Sequence, residues 1–315
     1  MATGEPTGSE TGVRLITISE DEAGQRIDNF LLARLKGVPK SRIYRLLRKG
    51  EVRVNKGRIK PEYRLAAGDS VRVPPIRVAE GRDVPAPGLA LRAHLESSVL
   101  FENGELLVIN KPQGLAVHGG SGVSLGLIEA LRATRPGQTL ELVHRLDKGT
   151  SGCLLIAKKR AALRALQNQL RDHEVEKIYL ALVDGVWPKG LDVIDAPLDK
   201  VSVASGENFV RASRDGKNAV TRFRIHKRYA DMTMLEVALE TGRTHQIRVH
   251  CQLAGHPLLG DDKYGSDARN EEMRKRGLKR IFLHAHRLCF AIPSSGEQYC
   301  VEAPLPADLA AVLGD

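Results

Sequence analysis

Four consecutive residues, His144-Arg145-Leu146-Asp147, bring together an imidazole, a guanidinium and a carboxylate, and Lys148-Gly149-Thr150-Ser151-Gly152 follows at once. The apolar run Glu141-Leu142-Val143 leads in and Cys153 to Ala157 leads out. The pattern predicts strand, loop, strand, with the charges on the loop. Charged side chains gathered where a strand gives way to a loop point to function. An Asp beside Gly, Thr and Ser is also ordinary turn chemistry, because its oxygens accept backbone N–H groups. Asp147 needs partners elsewhere in the chain before it reads as a catalyst.

Two further clusters supply them. In Lys177-Ile178-Tyr179-Leu180-Ala181-Leu182-Val183 the pattern is that of a strand, with Tyr179 among apolar neighbours. Its ring can stack on a base and its hydroxyl can hydrogen-bond. In Thr241-Gly242-Arg243-Thr244-His245-Gln246-Ile247-Arg248-Val249-His250 a helix is predicted over 244–254. On it Arg248 shares a stripe with His245 and Gln252, opposite Ile247, Cys251 and Ala254. A carboxylate works as a nucleophile when it stays ionised and shielded from water, and a neighbouring Arg supports that state. Taken singly, Tyr179 also fits a core position and Arg248 a structural ion pair. His144, His245 and His250 come without a Glu-x-x-His or Cys partner, so no metal site is expected. Neither a Walker motif nor a dinucleotide fingerprint occurs, so no nucleotide cofactor is expected.

These clusters need a scaffold. A larger domain is predicted over 95–315, of mixed, mainly antiparallel α/β character. It has strands over 106–109, 176–183, 220–229 and 232–239, and a helix over 160–172 with Leu163, Leu166 and Leu170 on one face. Residues 265–279 are highly charged without an apolar face and read as a mobile insertion. Before it, 76–94 reads as an extended Pro- and Gly-containing linker.

A smaller domain is predicted over 14–75, making the whole chain α+β. Between Lys40 and Arg64 ten basic residues face only Glu51 and Glu62. On a helix capped by Ser41, residues Arg42, Arg45, Arg48 and Lys49 fall on one side and Ile43, Leu46 and Leu47 on the other. One face can pack while the other meets phosphate, so RNA binding is expected there.

Composition sets the frame. With 315 residues, 42% hydrophobic and 27% charged, the chain has material for about two domains and a real core. Its net charge of +10 favours a polyanionic partner. No apolar run approaches the roughly 18–20 residues that span a bilayer. Residues 1–13 read as a disordered tail without a signal-peptide pattern. Cys153, Cys251, Cys289 and Cys300 are widely spaced, which argues against a disulfide framework and for a reducing cytoplasm.

"HRLDKGTSG", "KIYLALVDG" and "TGRTHQIRVH", in that order, resemble the three motifs of the RluA-type pseudouridine synthases, and "NKPQGLAVHGG" resembles that family's upstream motif. "RIDNFLLARL", "PKSRIYRLLRKGEVRVNKGRIK" and "AAGDSVRV" resemble the S-four RNA-binding fold. Together they resemble the subgroup acting on 23S ribosomal RNA, free or in a large-subunit assembly intermediate. The resemblance implies that Asp147 attacks the anomeric carbon of a target uridine or assists cleavage there. The freed uracil turns and rejoins through carbon five, with no cofactor. It implies that Tyr179 stacks on the uracil and helps remove the carbon-five proton. Arg248 would pair with Asp147, and Arg145 would fill the space left by the flipped nucleotide. His144 is expected to contact substrate, and a monomer is expected. Two other functions fit parts of the pattern: an RNA N-glycosidase, which would want a second carboxylate, and a non-enzymatic RNA-binding assembly protein.

Overall fold

The computed structural model describes residues 12–35, 38–76, 87–119, 125–202 and 208–314. Most of the expected tail, and residues 77–86 of the expected linker, lie outside them. The chain divides into two compact units, Met1–Val84 and Pro85–Asp315.

In the first unit, β1 (Arg14–Thr17), α1 (Ile27–Arg34), α2 (Lys40–Lys49), β2 (Arg53–Val54) and β3 (Ser70–Val73) follow one another. The strands form an antiparallel sheet in the order β1-β3-β2. Ile43, Leu46 and Leu47 of α2 are buried in one cluster with Ile27, Phe30 and Leu31 of α1. Arg45, Arg48 and Lys49 remain exposed and Arg42 half-buried, as the helical wheel predicts. Asp28, almost fully buried, accepts hydrogen bonds from Arg26 and from Tyr44 Oη (2.8 Å), which ties α1 to α2. The expected Ser41 cap is not used. Pro39 precedes the first helical residue with φ −57°, and its ring fixes that angle. Gly50, at φ 69°, ends the helix in the left-handed conformation that a glycine adopts without cost.

The second unit opens with α3 (Leu89–Ser97), where the sequence suggested linker as far as 94. Leu91 and Leu95, one turn apart, pack into the main core and stabilise the helix. There follow β4 (Val99–Glu102), β5 (Leu106–Lys111), α4 (Leu127–Thr134), β6 (Glu141–Leu142), β7 (Ser151–Ala157), α5 (Arg160–Arg171) and β8 (Glu176–Asp184). Next come β9 (Val193–Asp195), the hairpin β10 (Leu198–Ser202) and β11 (Asn208–Ala212), β12 (Val220–Arg228), β13 (Met232–Leu239) and α6 (Gln246–Leu253). The chain closes with α7 (Asp267–Lys275), β14 (Leu283–Ala291), β15 (Gln298–Glu302) and α8 (Ala307–Leu313). The large sheet runs β4-β5-β7-β14-β8-β13-β12-β9, with β15 on β14 and β6 on β7. Its pairings are antiparallel except β7 with β14.

That exception sets the seam of the sheet. β14 meets β7 only at His284↔Ser151 and Ala285↔Gly152, directly behind the Asp147 loop, and on its other edge it pairs with β8. Gly152 makes the close approach possible. Its φ is +111°, and a Cβ there would lie 2.2 Å from the carbonyl oxygen of Ala285. Gly152→Ala therefore combines backbone strain with a clash against backbone. We expect it to destabilise the unit by about 2–4 kcal/mol, read as a lower thermal midpoint. A wild-type midpoint would show that the seam yields.

Two further expectations are corrected. Residues 265–279 are not a loose insertion: α7 buries Met273 and Asn270, and Asn270 binds Gly260 N (2.9 Å) and Asp261 O (2.9 Å). Arg269 pairs with Asp184 and Asp231, each at 2.8 Å. One buried apolar side chain and an ion-pair hub dock the helix, so no apolar period marks it. The cysteine reading also fails in part. Cys289 and Cys300 face each other across β14 and β15, with Cα atoms 4.1 Å apart, and form a disulfide. Strand pairing brings them together, which linear spacing does not reveal. The cysteines thus lose their force as an argument for a reducing compartment.

Candidate active site

The three motifs converge on one cavity of about 410 Å³, lined by His144, Arg145, Asp147, Lys177, Tyr179 and Arg248 among others. Asp147 sits on the loop entering β7, Tyr179 on β8 beside Ala285 of β14, and Arg248 on α6 after β13. The seam of the sheet thus supplies one wall and the loop with α6 the others.

The Asp147 loop is held through its backbone. Thr150 N donates to Asp147 O (3.1 Å). Lys111, fully buried, donates from Nζ to the carbonyls of Pro112 (2.8 Å), Leu115 (2.8 Å) and Lys148 (3.3 Å). Burial pulls its pKa down to about 7, against the opposing charge of Asp147. On the far side of the loop, Arg280 Nη1 donates to Ser151 Oγ (3.0 Å) and Ser151 Oγ lies 2.9 Å from His284 Nδ1. His284 Nε2 donates to Ala303 O (3.1 Å), which leaves Nδ1 to accept from the serine.

These anchors leave the Asp147 carboxylate free to face the cavity, with its side chain 24% exposed. The nitrogens that approach it are Nε2 of His245 at 3.8 Å, an imidazole whose pKa burial lowers, and the guanidinium Nη1 of Arg248 at 3.9 Å. The expected pairing of Arg248 with Asp147 is therefore a loose one. The fork of Arg248 is held instead by Asp261, through Nε to Oδ2 (2.8 Å) and Nη2 to Oδ1 (2.6 Å). Burial works against the guanidinium charge, and the bonds to Asp261 more than offset it. Arg248 also lies 4.9 Å over the ring of Tyr264. Tyr264 Oη accepts from Val210 N (3.0 Å) and hydrogen-bonds His245 Nδ1 (2.9 Å).

Neither Asp261 nor Tyr264 carried a signal in the sequence. They sit well downstream of the arginine in an ordinary-looking Gly-Asp-Asp-Lys-Tyr-Gly turn, and only the fold returns that turn to α6. Helix α6 starts at Gln246 rather than 244, because His245 adopts a left-handed φ of 55°. Gln246 then binds Thr241 Oγ1 (2.7 Å), Arg243 N (3.0 Å) and Val220 O (2.9 Å), fixing the turn to β12.

Tyr179 is 7% exposed. Burial and then the Asp147 charge push its hydroxyl well above the usual phenol range, so it stays neutral. Arg145 is exposed at the cavity edge. His144 Nε2 accepts from Leu155 N (3.1 Å), so it braces the loop against β7 while lining the cavity. Arg42, Arg45 and Lys49 lie in the first unit, on the basic face of α2.

The architecture now meets known proteins. Residues 105–253 match the RNA pseudouridylate synthase family and residues 25–71 the S4 domain. The chain is 58% identical over 304 residues to "Ribosomal large subunit pseudouridine synthase C" of Pasteurella multocida, covering 96% of this chain and 93% of that one. The chain belongs to the RNA pseudouridylate synthase family. It is likewise 55% identical to the synthase C of Escherichia coli over 301 residues, 94% of each chain. The solved structure of "Human RNA Pseudouridylate Synthase Domain Containing 4" superposes with a TM-score of 0.60 at 28% identity, over 71% of this chain and 95% of that one. The protein is thus an RNA pseudouridine synthase, an isomerase of α+β fold with an S4 RNA-binding domain.

Two histidines, buried His284 and half-buried His144, should make the fold of this synthase acid-sensitive. Burial lowers the pKa of His284 to about 4, and burial with the Lys177 charge does the same to His144. A base whose pKa is depressed by folding takes up its proton first in the unfolded state. The stability it protects is complete above about pH 6.5 and is lost as pH falls toward 4. We expect the urea midpoint to fall through that window. His284→Gln should reduce the slope by up to about 1.4 kcal/mol per pH unit. An unchanged slope would mean that His284 is protonated in the native state.

Proposed function

We propose that the enzyme isomerises uridines of 23S ribosomal RNA, free or within a large-subunit assembly intermediate, with Asp147 as its catalytic residue. The observation that carries this reading is the placement of one carboxylate, Asp147, in a cavity with Tyr179 on the facing strand and Arg248 and His245 at 3.9 and 3.8 Å. The names of the bacterial relatives support the large ribosomal subunit as the source of substrate.

Asp147 attacks the anomeric carbon of the flipped uridine or stabilises the charge that develops there. The bond from that carbon to N1 breaks and its electron pair leaves with the uracil. The ring turns on Tyr179, carbon five bonds to the anomeric carbon, and carbon five gives up its proton while N1 gains one. Product and substrate are isomers, so the reaction consumes no cofactor or energy source. Extruding the base costs a few kcal/mol, and stacking on an aromatic ring returns roughly 1–3 kcal/mol. Arg145 enters the stack where the base was, His144 contacts the substrate at the cavity wall, and phosphate contacts from Arg42, Arg45 and Lys49 supply further affinity. An N-glycosidase would want a second carboxylate. Among the described residues lining the cavity Asp147 is the carboxylate present, and Asp261 behind it is committed to Arg248. We take the enzyme to act in the cytoplasm as a monomer, with residues 14–75 gripping RNA and 95–315 performing the chemistry.

The test is incubation with unmodified 23S transcript and no additives, followed by carbodiimide labelling and primer extension. Stops at discrete uridines are the expected result. Their absence on both free transcript and assembly particles would refute the substrate assignment.

A further inference from the structure

The cavity has more positive charge than its known parts use. Arg248 is bound to Asp261, Arg171 to Asp172 (3.0 Å) and Arg243 to the carbonyl of Asn218 (2.8 Å). Arg145 is exposed at the edge. Lys177 remains. It is half-buried and lines the cavity, and its side chain makes no ion pair or hydrogen bond among the described residues. It stands two residues before Tyr179 on β8, so both side chains leave the same face of the strand, about 7 Å apart along it. Its charge also acts on His144 at the same wall.

Burying an ammonium without a counter-ion destabilises a protein. A cation kept in that state beside the base platform is matched by an anion that arrives with the substrate. A nucleotide stacked on Tyr179 carries anions at one place only, its flanking phosphates. A uracil carbonyl would accept a hydrogen bond but would leave the charge unbalanced. We propose that Lys177 is the phosphate contact for the flipped nucleotide, a substrate-binding cation that holds the backbone beside the target while the base lies on Tyr179. The proposal rests on the uridine occupying the Asp147–Tyr179 cavity.

The test compares wild type, Lys177→Met and Lys177→Arg on a minimal RNA containing one mapped target, over a series of KCl concentrations. Met keeps the length and apolar stem of the side chain and removes the charge. We expect Lys177→Met to raise KM about 10- to 100-fold, with kcat within a few-fold of wild type. The plot of log kcat/KM against log salt should lose about 0.7–0.9 of its slope, the share of one phosphate contact. Lys177→Arg should restore most of both. The thermal midpoint of Lys177→Met should equal or exceed that of wild type, since an unpaired charge has gone. An unchanged salt slope, a fall in kcat at constant KM, or a lower midpoint would each overturn the proposal. Turnover by wild type on the same RNA keeps the underlying reading separate: if wild type converts nothing, it is the placement of the uridine that fails.

Discussion

Asp147→Asn will bind target RNA as tightly as wild type and fail to convert it, with the single-turnover rate lower by at least about 10⁴-fold, or ~5.5 kcal/mol of transition-state stabilisation. The exchange is nearly isosteric, and the fold makes little use of the carboxylate. The loop is anchored by the Asp147 carbonyl, by Lys111 and by the Ser151–His284 pair. The side chain itself only approaches His245 and Arg248 at 3.8 and 3.9 Å. Thermal stability should therefore stay within about 0.5–1 kcal/mol of wild type. Losing one negative charge leaves the cavity more positive, which favours RNA if anything. Gel-shift affinity, melting and single-turnover conversion on one protein preparation check all three. Residual conversion within tenfold of wild type would show that Asp147 is not the reacting group. Lost affinity would show that its role is in binding.

The legible part of this protein is the part written as local pattern. The 3.6-residue spacing of Ile43, Leu46 and Leu47 against Arg45, Arg48 and Lys49 gives α2 its buried and exposed faces, and both are found as predicted. The strand carrying Tyr179 and the loop carrying Asp147 are likewise marked by apolar runs and their interruption. What the pattern could not show depends on contacts between distant segments. Asp261 reaches Arg248 from the turn after α6, whose backbone Asn270 of α7 holds, and α7 escapes prediction because a single buried Met273 and the Arg269 hub hold it in place of an apolar face. The Cys289–Cys300 bond follows from strand register. Lys177 stands out as the half-buried cation without a side-chain partner only once Arg248, Arg171 and Arg243 have been given theirs and Arg145 is seen to be exposed. Resemblance named the chemistry, and geometry changed one detail of it: Arg248 is oriented from behind and meets Asp147 at arm's length.

Asp261→Ala should expose that arrangement most sharply. Its side chain is fully buried. Besides the two arms of Arg248, Oδ1 accepts from Lys263 N (2.9 Å) and Tyr264 N (3.1 Å). Truncation leaves a guanidinium with a side-chain exposure of 14% without its partner and two backbone donors unmet. The cost is about 3–5 kcal/mol, a fall in thermal midpoint of roughly 10 °C for a unit of this size. Activity should drop further than instability explains. Freed from Asp261, Arg248 can close the 3.9 Å gap and lock the Asp147 carboxylate into a tight pair. In the proposed mechanism that pair would neutralise and displace the carboxylate, and a misplacement of about 1 Å costs roughly 100-fold. Measured well below its melting point, Asp261→Ala should therefore lose kcat by that order while KM for RNA changes little. Asp261→Asn keeps an oxygen for the backbone donors and should recover most of the stability but only part of the rate. If Asp261→Ala melts like wild type and turns over normally, the ring of Tyr264 alone suffices to hold Arg248, and the bidentate pair is incidental to catalysis.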